Sequence, residues 1–161
     1  MRMMDEASED ELLLAAMIRM GAKTGAIGGG IAGALGSGAG ARGGARGAAR
    51  VFKRTKRDVS TATSVLAMSA SAASELVCRV LAVAGDLVGT ESREDGTFAA
   101  RALIRVGVGG LNPAVVTAVI TGGPEGTVGV ELRAAGREGL IKQHPADKAL
   151  AKVSALLSAT A

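Results

Sequence analysis

Aromatic side chains are almost missing from this chain: Phe52 and Phe98 are the only rings in 161 residues, and tyrosine and tryptophan are absent. A core must therefore be built from Val, Leu, Ile, Met and Ala. Functions that need aromatic platforms, such as base stacking or a cage for a cationic ligand, lose their material. Cysteine is equally scarce. Cys78 stands alone, so no intrachain disulfide can form. His144 is the single histidine, directly before Pro145, where it reads as a bystander at a helix cap. One Cys and one His do not supply the ligand cluster of a zinc site, nor a base beside a nucleophile. No catalytic residue, cofactor or metal is expected, and the chain reads as non-enzymatic.

Acidic residues are missing from a defined stretch. Residues 1–11 carry five acids, whereas 12–57 carry none and nine Lys or Arg, and 58–161 are nearly balanced with ten acids and nine bases. Seven of the nine cations (Arg42, Arg46, Arg50, Lys53, Arg54, Lys56 and Arg57) fall within sixteen positions. A run of this density attracts an anionic membrane surface or nucleic acid phosphate, or simply stays solvated. The start Met1-Arg2-Met3-Met4-Asp5-Glu6 is too acidic for a secretory n-region.

Ser8 followed by Glu11 has the spacing of a capping box, and the apolar run from Leu12 to Ile18 predicts a short helix ending near Met20. Twelve glycines lie between Gly21 and Gly47. Gly25, Gly29 and Gly33 recur every fourth residue, and Gly36, Gly40 and Gly44 repeat that period in a second register. On a helix each set makes a smooth groove that admits another helix closely, most simply a second copy of the chain, so a homo-oligomer is expected. Thr24 to Ala41 is eighteen residues without charge, near the lower limit of a membrane span, although Ile27, Ile31 and Leu35 are its only large side chains. The alternative is a flexible tether.

Two phosphate-binding motifs are imitated there and fail. Gly28-Gly29-Gly30-Ile31-Ala32-Gly33 fits the dinucleotide fingerprint, but no strand precedes it and no acid follows at the ribose distance. Ala22-Lys23-Thr24 lacks the glycine a phosphate-binding loop needs before its lysine.

From Val59 onward the pattern turns to strands. Val59–Ala70 reads as a strand and a helix follows from about Ser71, with Leu76, Val77, Val80, Leu81 and Ala84 as its apolar stripe and Gly85 at C′. Leu87–Ser92 and Thr97–Val108 flank an Asp95-Gly96 hairpin turn. In the second of these strands Arg101 and Arg105 alternate with apolar residues, which predicts a wet face. Ala114–Thr121 and the alternating Val128, Val130, Leu132, Ala134 add two strands. After a loop from Gly136 to His144, Pro145 opens a final helix with Leu150, Val153, Leu156 and Leu157 on its buried side. Arg137 and Lys142 in that loop are candidates for an anion at the helix N-terminus.

The expected fold is α+β: an antiparallel sheet of about five strands, covered on one face by two helices and preceded by an N-terminal helix and a glycine-rich segment. The boundaries expected are residues 1–20, 21–58 and 59–161, the last self-sufficient because it holds every strong amphipathic element. Between Val59 and Leu157 this order, with turns such as Asp95-Gly96, resembles the strand-helix-meander-helix domains of uncharacterised bacterial envelope proteins, and more distantly a reduced helix-grip fold. The resemblance implies a binding or assembly module and carries over no catalytic residue. The function expected is a membrane-associated protein with a glycine-zipper-like segment and a cytoplasmic α+β domain. Its rival is a soluble cytoplasmic module whose disordered basic arm contacts nucleic acid or an acidic partner.

Overall fold

The computed structural model describes residues 6–31, 37–124, 126–138 and 142–160. Two helices come first, α1 (Glu6–Ile31) and α2 (Ser37–Arg54). They are followed by β1 (Lys56–Leu66), α3 (Ala70–Ala84), β2 (Asp86–Ser92), β3 (Phe98–Val106), β4 (Asn112–Gly122), β5 (Val128–Glu138) and α4 (Pro145–Thr160). The five strands form one antiparallel sheet in the order β1-β5-β4-β3-β2, so the protein is α+β.

The period-2 alternation decides which residues meet the helices. Ala100, Ala102, Ile104 and Val106 of β3, Val116, Ala118 and Ile120 of β4, and Val128, Val130, Leu132 and Ala134 of β5 form one buried layer with the stripes of α3 and α4. In α4 the stripe buries Leu150, Val153 and Leu157, and Leu156 packs at its margin. Helix ends are tied by specific bonds. Ser69 Oγ accepts the Ala72 N–H (3.3 Å) at the start of α3, and Asp58 of β1 accepts the Ala146 N–H (2.9 Å) at the start of α4. Lys152 Nζ donates to the Ala84 carbonyl (2.8 Å), joining α4 to the C-terminal end of α3. Gly85 does follow α3, but its φ of −174° is extended, not left-handed. A side chain there would overlap the Leu103 carbonyl, so close approach to β3 is what requires glycine. In the β2–β3 turn Gly96 has φ 80°, as Asp-Gly predicts, and the Thr97 N–H held by Asp95 (2.9 Å) keeps that carboxyl more acidic than usual.

Cys78 lies half-buried in α3 against the core, and burial pushes its thiol up. Less thiolate at a given pH means slower alkylation. Iodoacetamide at pH 8 should react several-fold more slowly with the folded protein than with the urea-unfolded chain, and equal rates would contradict the burial.

Three expectations are corrected on the opposite face of the sheet. The first helix does not stop near Met20 but continues to Ile31, and it starts by Glu6, so Ser8 lies inside it rather than capping it. Its N-terminal half lies across the sheet, where Leu13 is fully buried with Val115 of β4 and Phe52 of α2. The face is therefore not wet at Arg101, which is 2% exposed, whereas Arg105 remains in solvent. Arg101 Nε donates to Thr117 Oγ1 (2.9 Å) and its Nη1 to Ser8, which is how a guanidinium is tolerated under a helix.

Candidate functional site

Helices α1 and α2 form a hairpin whose contact is made by glycine. A Cβ on Gly25 would overlap the Gly40 carbonyl, one on Gly44 the Gly21 carbonyl, and one on Gly21 would stand 2.8 Å from Ala48 Cβ. Backbone therefore lies on backbone, the approach that small residues at four-residue spacing permit. The glycine face of α1 that a second copy was expected to fill is occupied at Gly21 and Gly25 by α2 of the same chain. Gly29, Gly33 and Gly36 lie outside the described side chains. The charge-free stretch from Thr24 to Ala41 is divided between α1 and α2, and among the described residues no helix is long and apolar enough to cross a membrane. Nor is the basic run an irregular arm: Ser37–Arg54 is helical, because packing against α1 outweighs the cost of its glycines. The glycine fingerprint at Gly28 falls on α1, with no strand before it among the described residues.

That hairpin sorts the candidate cations into two groups. Arg42, Arg46, Arg50 and Lys53 recur at i, i+4, i+8 and i+11, so they share one stripe of α2. All four are exposed, as are Arg54 and Lys56, and none of these six has an acidic partner among the described residues. Gly43 and Gly47, beside the stripe, face open space.

Arg57 and Arg137 belong to the second group. Arg57 lies in β1 and pairs with Glu9, with Asp10 at 3.8 Å. Arg137 lies inside β5, not in a loop, because that strand runs on to Glu138. Its guanidinium binds Asp10 (2.5 Å) and the Thr55 carbonyl (3.2 Å) and sits 4.3 Å over the Phe52 ring. These two arginines, expected to meet an external anion, hold the acidic start of α1 against the sheet instead. Lys142 is exposed ahead of α4 and is not drawn into that cluster.

A feature the sequence reading missed is a groove of about 490 Å³ between α1 and the β2–β3 corner. Leu12, Ala16, Met20 and Leu103 are among its apolar lining residues, while Arg19, Lys23, Arg105 and Asp86 supply its charge. The signal was the i, i+4 spacing of Arg19 and Lys23, which only a helix continuing past Met20 makes meaningful.

No protein-family model and no curated protein sequence matches the chain. Among solved structures it is similar to an uncharacterized protein from Bacillus thuringiensis, with 10% identity and a TM-score of 0.37 over 63% of this chain and 97% of that one. It is also similar to an uncharacterized protein from Rhizobium leguminosarum, with 14% identity and a TM-score of 0.24 over 65% of this chain and 99% of that one. Likenesses of this size constrain neither activity nor partner.

Proposed function

We propose that this protein is a non-enzymatic module that binds an anionic membrane surface through the basic stripe of α2, with the α+β domain held beside the bilayer as a binding or assembly unit. The observation that carries this reading is the exposure of Arg42, Arg46, Arg50 and Lys53 along one stripe of a helix whose Gly40 and Gly44 are packed on α1. The hairpin presents the cations in fixed register, so little conformational entropy is lost when they meet a charged surface. The proposed mode is peripheral, and the anionic cytoplasmic leaflet carries the charge opposite to that of the stripe. Membrane is favoured over nucleic acid because the sequence from Thr24 to Ala41, directly ahead of the stripe, is charge-free and includes Ile27, Ile31 and Leu35, a composition that suits the headgroup boundary and not a phosphate backbone.

Co-sedimentation with phosphatidylcholine vesicles, with and without phosphatidylserine, tests this reading. Binding should require the anionic lipid and fall as salt rises. Replacing Arg46 and Arg50 together by Gln should weaken it by about 2 kcal/mol, roughly thirtyfold, at about 1 kcal/mol for each charge. Equal recovery on both kinds of vesicle, no binding at all, or tighter binding to duplex DNA at the same ionic strength would overturn it.

A further inference from the structure

At the end of the sheet where β5 hands over to α4, three side chains from distant parts of the sequence come together. Asp58 projects from β1, Glu138 ends β5, and His144 stands at the entrance to α4; each offers a ligand atom, and these atoms all lie within 4.8 Å of one another. We infer that Asp58, Glu138 and His144 form a binding site for a divalent transition-metal ion of the zinc class. The inference departs from the expectation that one histidine and one cysteine leave the chain without the means to hold a metal, because carboxylates would supply the other ligands.

Two observations beyond proximity point to an ion. Glu138 Oε1 is buried and accepts no hydrogen bond, although His144 Nδ1 lies 3.3 Å away. A carboxylate oxygen and an imidazole nitrogen held together without a hydrogen bond are placed as two ligands of one ion would be. Donors about 2.0–2.1 Å from a tetrahedral centre stand about 3.3–3.4 Å apart. The second observation is charge. Asp147 brings a third carboxylate to 3.8 Å from the same nitrogen, and among the described residues no Lys or Arg forms an ion pair with Asp58, Glu138 or Asp147. Three acids around one imidazole leave a negative excess that a dication neutralises.

The scaffold also fixes the ligands. Asp58 is oriented by the Ala146 N–H (2.9 Å), so the N-terminal amide of α4 is already satisfied by a carboxylate. Ser60 donates to Asp147, which holds that acid as an outer neighbour. His144 takes φ 47°, the only positive value at a non-glycine among the described residues, directly before Pro145 opens α4. One nitrogen and two oxygen donors suit Zn²⁺ better than Mg²⁺ or Ca²⁺, which prefer oxygen alone. Three protein ligands leave a fourth tetrahedral position for water or an external group.

Isothermal titration of the full, tag-free, chelator-stripped chain with ZnCl2 tests the inference, with melting temperature as a second readout. One Zn²⁺ per chain should bind and raise the melting temperature, and CaCl2 should bind at least about tenfold more weakly. His144→Ala and Glu138→Gln should each weaken Zn²⁺ by at least about tenfold while melting cooperatively in its absence. Glu138→Gln keeps the shape of the side chain, so a variant that still melts cooperatively and has lost Zn²⁺ has lost it through the missing carboxylate and not through unfolding. Co²⁺ should give intense visible bands in the parent protein and lose them in His144→Ala. No saturable Zn²⁺ binding, Ca²⁺ binding as tight as Zn²⁺, or full affinity retained in both variants would overturn the site.

Discussion

Replacing Gly44 by alanine is expected to destabilise the protein, while the same change at its neighbour Gly43 is expected to stabilise it. Both residues lie in α2, and both substitutions gain intrinsic helix propensity of about 1 kcal/mol. They differ in what the new methyl meets. At Gly43 nothing lies within 4 Å, whereas at Gly44 the methyl would overlap the Gly21 carbonyl and stand 3.3 Å from Gly25 Cα. Those atoms are backbone and cannot rotate aside, so α1 and α2 must separate along their whole contact. Overpacking costs about 1–3 kcal/mol, and more where two backbones are in contact, so at Gly44 it outweighs the propensity gained. Gly25→Ala should behave like Gly44→Ala, because its methyl would overlap the Gly40 carbonyl. Gly47→Ala, which also faces open space, should behave like Gly43→Ala. In urea unfolding followed by circular dichroism, the midpoints should move in opposite directions for the two pairs. If all four substitutions raised the midpoint alike, the close helix contact would be wrong and the glycine segment would be acting as a tether.

The hairpin also shows why part of the fold was legible in the sequence and part was not. The strand pattern at Val128, Val130, Leu132 and Ala134 and the stripes of α3 and α4 follow from local periodicity, and the structure buries them as expected. Local periodicity reports burial along one element, so it found the face those helices cover. It failed at Arg101, whose alternation reads as solvent while its partners Thr117 and Ser8 lie 16 and 93 residues away. It failed at the end of the first helix for a related reason: glycine is a poor helix former in isolation, and only the backbone contact with α2 stabilises the turns beyond Met20. Charge segregation was visible, but its meaning was not. The acidic first residues and Arg57 and Arg137 were read as separate features because nothing local announces that Asp10 will meet an arginine 127 residues on. Asp58, Glu138 and His144 were hidden in the same way, since β1 and β5 become neighbours only when the sheet closes.

Removing the carboxylate of Glu9 should be among the most damaging single changes in the chain, at about 3–5 kcal/mol. Glu9 is 1% exposed and lies between guanidiniums of two adjacent strands, Arg57 of β1 and Arg133 of β5, the latter with Nε at 3.1 Å. In Glu9→Ala these two cations, with only 21% and 28% of their side chains exposed, lose the buried anion that lies between them, while Asp10 stays 3.8 Å from Arg57. Their mutual repulsion and incomplete hydration then oppose the docking of α1, which otherwise buries Leu13 against Val115 and Phe52. Glu9→Gln should lose less, because an amide oxygen still accepts a hydrogen bond although the charge is gone. Solvent-exposed Glu11, two residues on, supplies the control, and Glu11→Ala should fall within about 0.5 kcal/mol of the parent. Urea unfolding monitored on the full chain would rank the three. The expectation that residues 59–161 are self-sufficient meets its hardest test here, because a sheet able to stand without α1 would leave Glu9→Ala as stable as Glu11→Ala. A loss of several kcal/mol, with a smaller one for Glu9→Gln, would mean that the acidic start of the chain clamps the second face of the sheet and belongs to its core.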